Sequence, residues 1–319
     1  MRISVCICTH NRLESLRRTL QSLAAVQADG VNWEVLVVDN ASPASPAPIV
    51  QDFRGRLPVR LVAEARPGLS HARNRALTEQ RGTHLIFIDD DVTVPPAWLL
   101  AYAEGFARYP QAAFFGGPIV PDAPAVSADN LAMVREVMPG VISALEPACG
   151  EIVLTQQSKL EPWGANMAFR RSTAEGHLFD AGLGHRSGNP GGLGEDTAFI
   201  KALLAEGCTG VWLPQAHVTH HVSAARFSRR NISRYCREVG WCEGRRQAQA
   251  LTGNAVHIIA WARQEVRKMR WQKRKTPLWA SRKRRLEALR DLELARGFMA
   301  GLEDAVAVTY EHVPRERTQ

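Results

Sequence analysis

Long apolar runs are missing from this 319-residue chain. Apolar stretches such as Val35 to Val38 and Leu85 to Ile88 are strand-sized, far short of the roughly 20 residues that span a bilayer. No secretory leader is expected, because His10, Asn11 and Arg12 interrupt the N-terminus after a few apolar residues. Cysteine is sparse: six residues, scattered, with no CxxC pair, and Cys6 and Cys8 share a strand too short to bridge. That usage fits reduced thiols in a cytoplasmic protein better than a disulfide framework. No GxGxxG follows a strand, and neither GxxxxGKS nor GxxxxGKT occurs, which disfavours a Rossmann dehydrogenase and a P-loop enzyme. Internal repeats are missing too. What is present, 45% hydrophobic and 23% charged residues, excludes disordered, collagen-like and coiled-coil chains.

The first half alternates strand and helix signals. Ile3 to Cys8, Trp33 to Asp39, Val59 to Ala63 and His84 to Ile88 read as short buried strands. Leu13, Leu16, Leu20 and Leu23 repeat at helical spacing, with Asn11 as the expected cap and Glu14 three residues on. Further helices are expected over 46–53, 69–80, 96–109 and 195–206, and strands over 208–213 and 217–222, while past 112–116 the alternation loosens. Residues 118–129 read as loop, and Gly182 to Gly194, with six glycines and one proline, as a mobile loop. Alternation of this kind predicts an α/β fold, a mostly parallel twisted sheet flanked by helices, with its site beyond the carboxyl ends of the strands.

Polar residues crowd those predicted ends: Thr9-His10-Asn11-Arg12, Asp39-Asn40-Ala41-Ser42 and Asp89-Asp90-Asp91. Adjacent carboxylates repel one another unless a cation is present. In extended chain Asp89 and Asp91 point to the same side, where both can face a magnesium or manganese ion that also holds substrate phosphates. A solvated acidic turn ahead of Pro95-Pro96 is the plain alternative.

Six motifs occur in order: Thr9-His10-Asn11-Arg12; Val37-Val38-Asp39-Asn40-Ala41-Ser42; Gly68-Leu69-Ser70-His71-Ala72-Arg73-Asn74; Phe87-Ile88-Asp89-Asp90-Asp91; Trp163-Gly164-Ala165-Asn166; and Gly194-Glu195-Asp196. In this order they resemble the family-two glycosyltransferases, inverting GT-A-fold enzymes that use nucleotide-sugar donors. The resemblance covers roughly Ile3 to Gly240. It implies that Thr9 and Asn11, with neighbouring Arg12, line the nucleotide pocket and that Asp39, beside Asn40, meets the base. It places Arg73 on the nucleotide side, Asp89 near the ribose with Asp90 beside it, Asp91 on a Mn2+ or Mg2+ ion, and Trp163 against the sugar. Asp196 would be the catalytic base, with Glu195 its substitute. His220 is the implied second metal ligand and His221 the fallback. The residues alone leave alternatives open: a solvated helix face for Arg73, a core position for Trp163, a helix cap for Asp196, and zinc or an incidental strand for His217, His220 and His221.

The net charge of +8 is uneven. Between Arg226 and Arg290 there are 19 Lys/Arg against four acidic residues, a balance of +15, while the remainder balances at −7. The expected organisation is a GT-A-like catalytic domain over 1–225, with a nucleotide-sugar half to about 117 and an acceptor half from about 118. A helical, basic C-terminal extension follows over 226–319. Trp261, Trp271 and Trp279 interleave with its cations, which suits a solvated face, an anionic membrane surface, or least of all nucleic acid. The leading expectation is a metal-dependent inverting hexosyltransferase for polysaccharide or glycolipid synthesis. Its partners would be a nucleotide sugar, foremost a UDP-sugar, and a glycan or lipid-linked acceptor, in the cytoplasm or peripherally at the inner face of the plasma membrane. The competing reading is a non-catalytic membrane-surface or nucleic-acid binding protein that reuses this fold.

Overall fold

The structure, a computed structural model, describes residues 1–147, 150–184, 193–250, 255–277 and 279–311. The described residues group into two compact units, one from Met1–Ala125, Ile142–Asn189 and Gly194–Ser223, the other from Val126–Val141, Pro190–Leu193 and Ala224–Gln319.

The first unit is built on β1 (Arg2–Thr9), β2 (Asn32–Asn40), β3 (Val59–Glu64), β4 (His84–Asp89), β5 (Val92–Thr93), β6 (Phe114–Gly116), β7 (Ile119–Asp122), β8 (Ile152–Leu154), β9 (Asn166–Arg170), β10 (Gly210–Trp212) and β11 (Val218–His221). Its helices are α1 (Leu13–Leu23), α2 (Ala47–Phe53), α3 (Leu69–Glu79), α4 (Trp98–Arg108), the short α6 (Arg171–Ala174) and α7 (Glu195–Ala205). The main sheet runs in the order β3-β2-β1-β4-β9-β6-β10-β8, and a smaller sheet in the order β5-β11-β7. The β1, β2, β3 and β4 pairings are parallel, while β9 enters antiparallel between β4 and β6.

Both faces of the main sheet are covered, so its strands read as near-continuous apolar runs. Ile3, Val5 and Ile7 of β1 face a core shared with Leu16, Leu20, Trp98 and Phe106. Cys6 turns the other way, toward Ala72, Ala76, Phe199 and Leu203. Helix α3 can lie close because it buries mostly small residues, Ser70, Ala72 and Ala76, together with Arg73. The cysteines described, Cys6, Cys8, Cys208, Cys236 and Cys242, are free thiols.

Two local expectations fail. Asn11 does not cap α1: it sits in the left-handed region at φ 54, Arg12 takes the N-cap position, and the Asn11 backbone N–H donates to Ser42 Oγ at 2.9 Å. The side chain is thereby turned away from the first helical turn. Residues 118–129 are not all loop, because 119–122 form β7 and a helix starts at Ala128. Pro121 does not forbid that strand, since β7 lies at the edge of the small sheet.

The second unit is helical: α5 (Ala128–Val137), α8 (Arg229–Ala250), α9 (Ala255–Lys275) and α10 (Arg282–Glu311). Helices α8 and α10 approach closely through glycine: a Cβ on Gly240 would meet the Leu294 carbonyl oxygen and the Phe298 nitrogen, and one on Gly297 the Arg237 carbonyl. Ile232 and Cys236 are buried as the helical spacing predicts. Among the described residues no helix is long and apolar enough to cross a membrane.

Candidate active site

Strand register brings the polar clusters to one edge. Thr9 pairs with Asp39, Cys8 with Asp89, and Ile88 with Asn166 across the antiparallel β9. The carboxyl ends of β1, β2 and β4 therefore meet the segment Trp163-Gly164-Ala165 that leads into β9.

The acidic triplet divides its attention. Asp89 ends β4, and Asp90 and Asp91 form the turn that leads into β5. Asp89 lies 3.7 Å from Arg73. Asp90, 4% exposed, accepts from Thr9 Oγ1 at 2.7 Å and from Arg12 at 3.1 Å. Its main-chain carbonyl accepts from Thr19 at 3.0 Å. Asp91 accepts from Arg12 at 2.8 Å. Burial pushes the Asp90 carboxyl up to about 6, against Arg12, with Asp91 adding to the rise. Desolvation likewise raises Asp89, Arg73 opposing it and Asp91 adding to it. Asp89 and Asp90 thus stand with less compensation than their charge demands.

Pairing of β11 with β5 sets His220 opposite Val92, and the His221 backbone N–H donates to the Asp91 carbonyl at 2.9 Å. His220 is 1% exposed and its Nε2 lies 3.4 Å from Asp91 Oδ1. Its Nδ1 lies 2.9 Å from the Ile142 carbonyl and donates to it, which turns Nε2 toward Asp91. His221 faces the other side, against Asp122 and Thr93 at 3.0 Å each. The His220 ring nitrogen and the Asp91 oxygen are the two groups here whose chemistry suits a divalent cation. Among the described residues no group of three His, Cys, Asp or Glu gathers as a metal cage.

Arg73 is 3% exposed, which removes the solvated-face alternative. Its guanidinium pairs with Glu195, reaches Asp89, and lies over the Phe179 ring at 5.5 Å. Gly164 permits this, since a Cβ there would collide with the guanidinium. Glu195 opens α7 behind Gly194, whose φ of 88 favours glycine. Burial pushes its carboxyl up to about 7, Arg73 pulling against it and Asp196 adding to the rise. Asp196 follows, half-buried, with Oδ2 accepting from the Gly164 N–H and Oδ1 from the Thr197 N–H, both at 2.7 Å. Gly194 holds the N-cap position with no side-chain cap, so Asp196 lies inside the first turn and is oriented by the Gly164 and Thr197 N–H groups.

At the carboxyl end of β2, Asp39 Oδ1 accepts from the Ser42 N–H at 3.1 Å, and Ala41 has φ 55. Asn40 is buried and accepts from the Gly68 N–H at 2.8 Å while donating to the Arg66 carbonyl at 2.8 Å, which fixes the approach to α3. Thr9 is 3% exposed with its hydroxyl committed to Asp90. Trp163 is half-buried and packs against the main core.

Other contributors gave little sign in the sequence. Thr19 reads as one more position on an amphipathic helix, yet its hydroxyl bonds the Asp90 and Val92 carbonyls at 3.0 and 2.7 Å. Asn74 exchanges two 2.8 Å hydrogen bonds with the backbone of Phe179. Ser70 donates to the Leu183 carbonyl at 2.7 Å. Most of the predicted mobile loop, 185–192, lies outside the described residues.

The family model described as "Glycosyl transferase family 2" matches residues 4–131, a stretch that contains the Asp89–Asp91 triplet and Arg73. The succinoglycan biosynthesis protein ExoM of Rhizobium meliloti is 31% identical over 264 residues, 79% of this chain and 77% of that protein. Among solved structures, the mannosyltransferase PcManGT of Pyrobaculum calidifontis, in complex with GDP-Man and Mn2+, has a TM-score of 0.52 at 17% identity, covering 98% of this chain and 76% of that one. S. aureus TarS 1–349 in complex with UDP-GlcNAc has a TM-score of 0.53 at 15% identity, covering 97% and 92%. The non-catalytic reading falls with these matches: the chain belongs to glycosyl transferase family 2 and is a glycosyltransferase with the GT-A fold.

Proposed function

We propose that this glycosyltransferase moves a sugar, with inversion, from a nucleoside-diphosphate donor, foremost a UDP-sugar, to an acceptor hydroxyl on a glycan or lipid-linked glycan. ExoM's role in succinoglycan biosynthesis supports polysaccharide assembly. The UDP-GlcNAc and GDP-Man complexes of the structural relatives support a nucleotide-sugar donor. The observation that carries the reading is Asp196, held by two backbone N–H groups at the strand-end edge where the acidic triplet and His220 also lie.

The residues divide the work. Asp196 takes the proton from the acceptor hydroxyl as the new bond forms, since a neutral hydroxyl is a weak nucleophile. The Gly164 and Thr197 N–H groups hold that carboxylate in one orientation, so little is lost in ordering it during reaction. Asp91 and His220 Nε2 are the pair that would hold Mn2+ or Mg2+. A divalent cation there supplies charge compensation for the diphosphate as a Lewis acid. A protonated leaving group is then unnecessary, and a single base suffices, unlike the acid–base pair of a glycosidase. Asp39 and Asn11 bound the opening expected to receive the nucleotide, Asp89 stands toward the ribose with Asp90 beneath it, and Trp163 lies toward the sugar.

The test is a screen of nucleotide sugars for nucleoside-diphosphate release, with Mn2+, with Mg2+ and with chelator. Release from one UDP-sugar, abolished by chelator and restored by Mn2+ or Mg2+, is expected. Full activity in excess chelator overturns the metal assignment, and release from no nucleotide sugar overturns the donor class.

A further inference from the structure

We propose that the outward face of α9 is a docking surface for an anionic lipid bilayer. The helix packs inward through Ala262 and Val266, 2% and 5% exposed. At 3.6 residues per turn the flank beside that buried face carries Arg263, Arg267, Arg270, Trp271 and Arg274 within a stripe about 100° wide. All five are exposed. The stripe runs about 16 Å along the helix axis.

Two observations say what covers this face. The first is charge without internal compensation. Arg263 pairs with Glu303 at 3.0 Å and Lys268 with Glu265 at 3.3 Å, whereas Arg267, Arg270 and Arg274 meet no carboxylate among the described residues. Like charges this close on one helix flank repel each other and gain most from a surface that meets all of them at once. The second is the indoles. Among the described residues seven large hydrophobic side chains are exposed, and three are Trp261 (54%), Trp271 (57%) and Trp279 (87%), within a single 19-residue stretch. Lys275 Nζ sits 3.6 Å from the Trp271 ring centroid, so this indole stands among cations instead of packing into a core.

Cations flanking exposed tryptophans match the layer where phosphate headgroups meet acyl chains: guanidiniums bind the phosphates and indoles seat at the interface. The phosphates of a nucleic acid would attract the same cations but leave the exposed indoles without an acyl layer, and an oligonucleotide is therefore the competitor in the test. Positive charge is concentrated in this part of the chain, since residues 226–290 balance at +15 and the remainder at −7. The surface stands apart from the sugar-transfer reading, since attachment is measured with neither donor nor acceptor present.

The experiment is co-sedimentation of the full chain with phosphatidylcholine vesicles, with and without phosphatidylglycerol, across a salt series. Binding to the anionic vesicles is expected at low salt, falling steeply as salt rises. Arg267→Gln, Arg270→Gln and Arg274→Gln together should weaken it about a hundred-fold, at about five-fold for each charge. Trp271→Ser with Trp279→Ser should weaken it while leaving the salt slope intact. Lipids brominated in the acyl chains should quench the native chain's fluorescence more than that of the double variant. Circular dichroism and donor hydrolysis in solution should be unchanged in both variants, which separates lost docking from lost folding. Equal binding to neutral and anionic vesicles, an unaffected triple Arg variant, or tighter binding of a single-stranded oligonucleotide than of anionic vesicles would overturn the proposal.

Discussion

Two glutamates of the catalytic unit are equally buried and opposite in character. Glu34, 4% exposed, lies near the start of β2; Glu195, 5% exposed, opens α7 at the other end of the sheet. Glu34 accepts from Ser4 at 2.7 Å, from Arg60 at 2.9 Å and from the Arg81 N–H at 2.9 Å. Burial pushes its carboxyl up, and Arg60, Ser4 and Arg81 together outweigh burial and hold it below the usual range. Glu195 relies on Arg73, a cation shared with Asp89 and beset by Asp196, and stays high at about 7. Solvent exposure is the same, but Glu195 lies deeper among protein atoms and has fewer donors to offset its burial. A carboxylate that locks a fold is given its full set of partners, whereas carboxylates at a site are left short so that substrate, cation or proton can complete them.

Removing the cation at each end breaks this comparison most directly. Arg73→Ala leaves Glu195 and Asp89 facing each other without compensation, and a loss of about 3–5 kcal/mol is expected, read by urea unfolding. Arg60→Ala leaves Glu34 with Ser4 and Arg81, so about 1–3 kcal/mol is expected. Equal losses would show that burial alone sets the cost.

The next effect is kinetic. Asp196→Asn should lower turnover by two orders of magnitude or more, about 2.7 kcal/mol of transition-state stabilisation, with donor affinity little changed. Near-normal turnover would move the base to Glu195. That outcome would make the high carboxyl itself the working group.

The pH dependence sharpens the same contrast with opposite signs. Glu195 is raised from 4.5 to about 7, so the folded protein holds a proton that the unfolded chain has released, and this residue makes stability fall as pH rises across that window. Glu34 is lowered, so its contribution is present above 4.5 and is lost as pH falls below it. Melting temperature followed from pH 4.5 to 7 should fall less steeply in Glu195→Gln. Glu34→Gln should act only on the acid side.

The smallest effect concerns His220. Replacing it with Gln removes a nitrogen ligand but leaves Asp91, so Mn2+-supported UDP binding should weaken about ten-fold, with less effect in Mg2+. Calorimetric titration with each metal reads the difference. An unchanged Mn2+ preference would take His220 out of the cation site and leave it as a buried partner of the Ile142 carbonyl.

Alternation of strand and helix made the α/β sheet legible, and polar residues after β1, β2 and β4 marked its active edge, because both follow from the local period of the chain. Where reading stopped, the reason was geometric. Asp89, Asp90 and Asp91 look like one motif in one dimension, yet a turn inside the triplet sends them to Arg73, to Thr9 with Arg12, and to His220. Thr19 gave no sign, since a hydroxyl on the buried stripe of a helix becomes informative only once the carbonyls of Asp90 and Val92 are above it.

The sequence by itself determined the element order, the family motifs and the concentration of positive charge between Arg226 and Arg290, because each is written in neighbouring residues. Only the tertiary structure decided that Arg73 is buried among carboxylates and that His220, not His221, faces Asp91. It also decided that Arg267, Trp271 and Arg274 share an outward stripe. These outcomes depend on which elements pack together: β11 pairs with β5 across more than a hundred residues, and α9 turns inward the face that Ala262 and Val266 can bury. Local pattern sets which residues share a face, and packing chooses what that face meets.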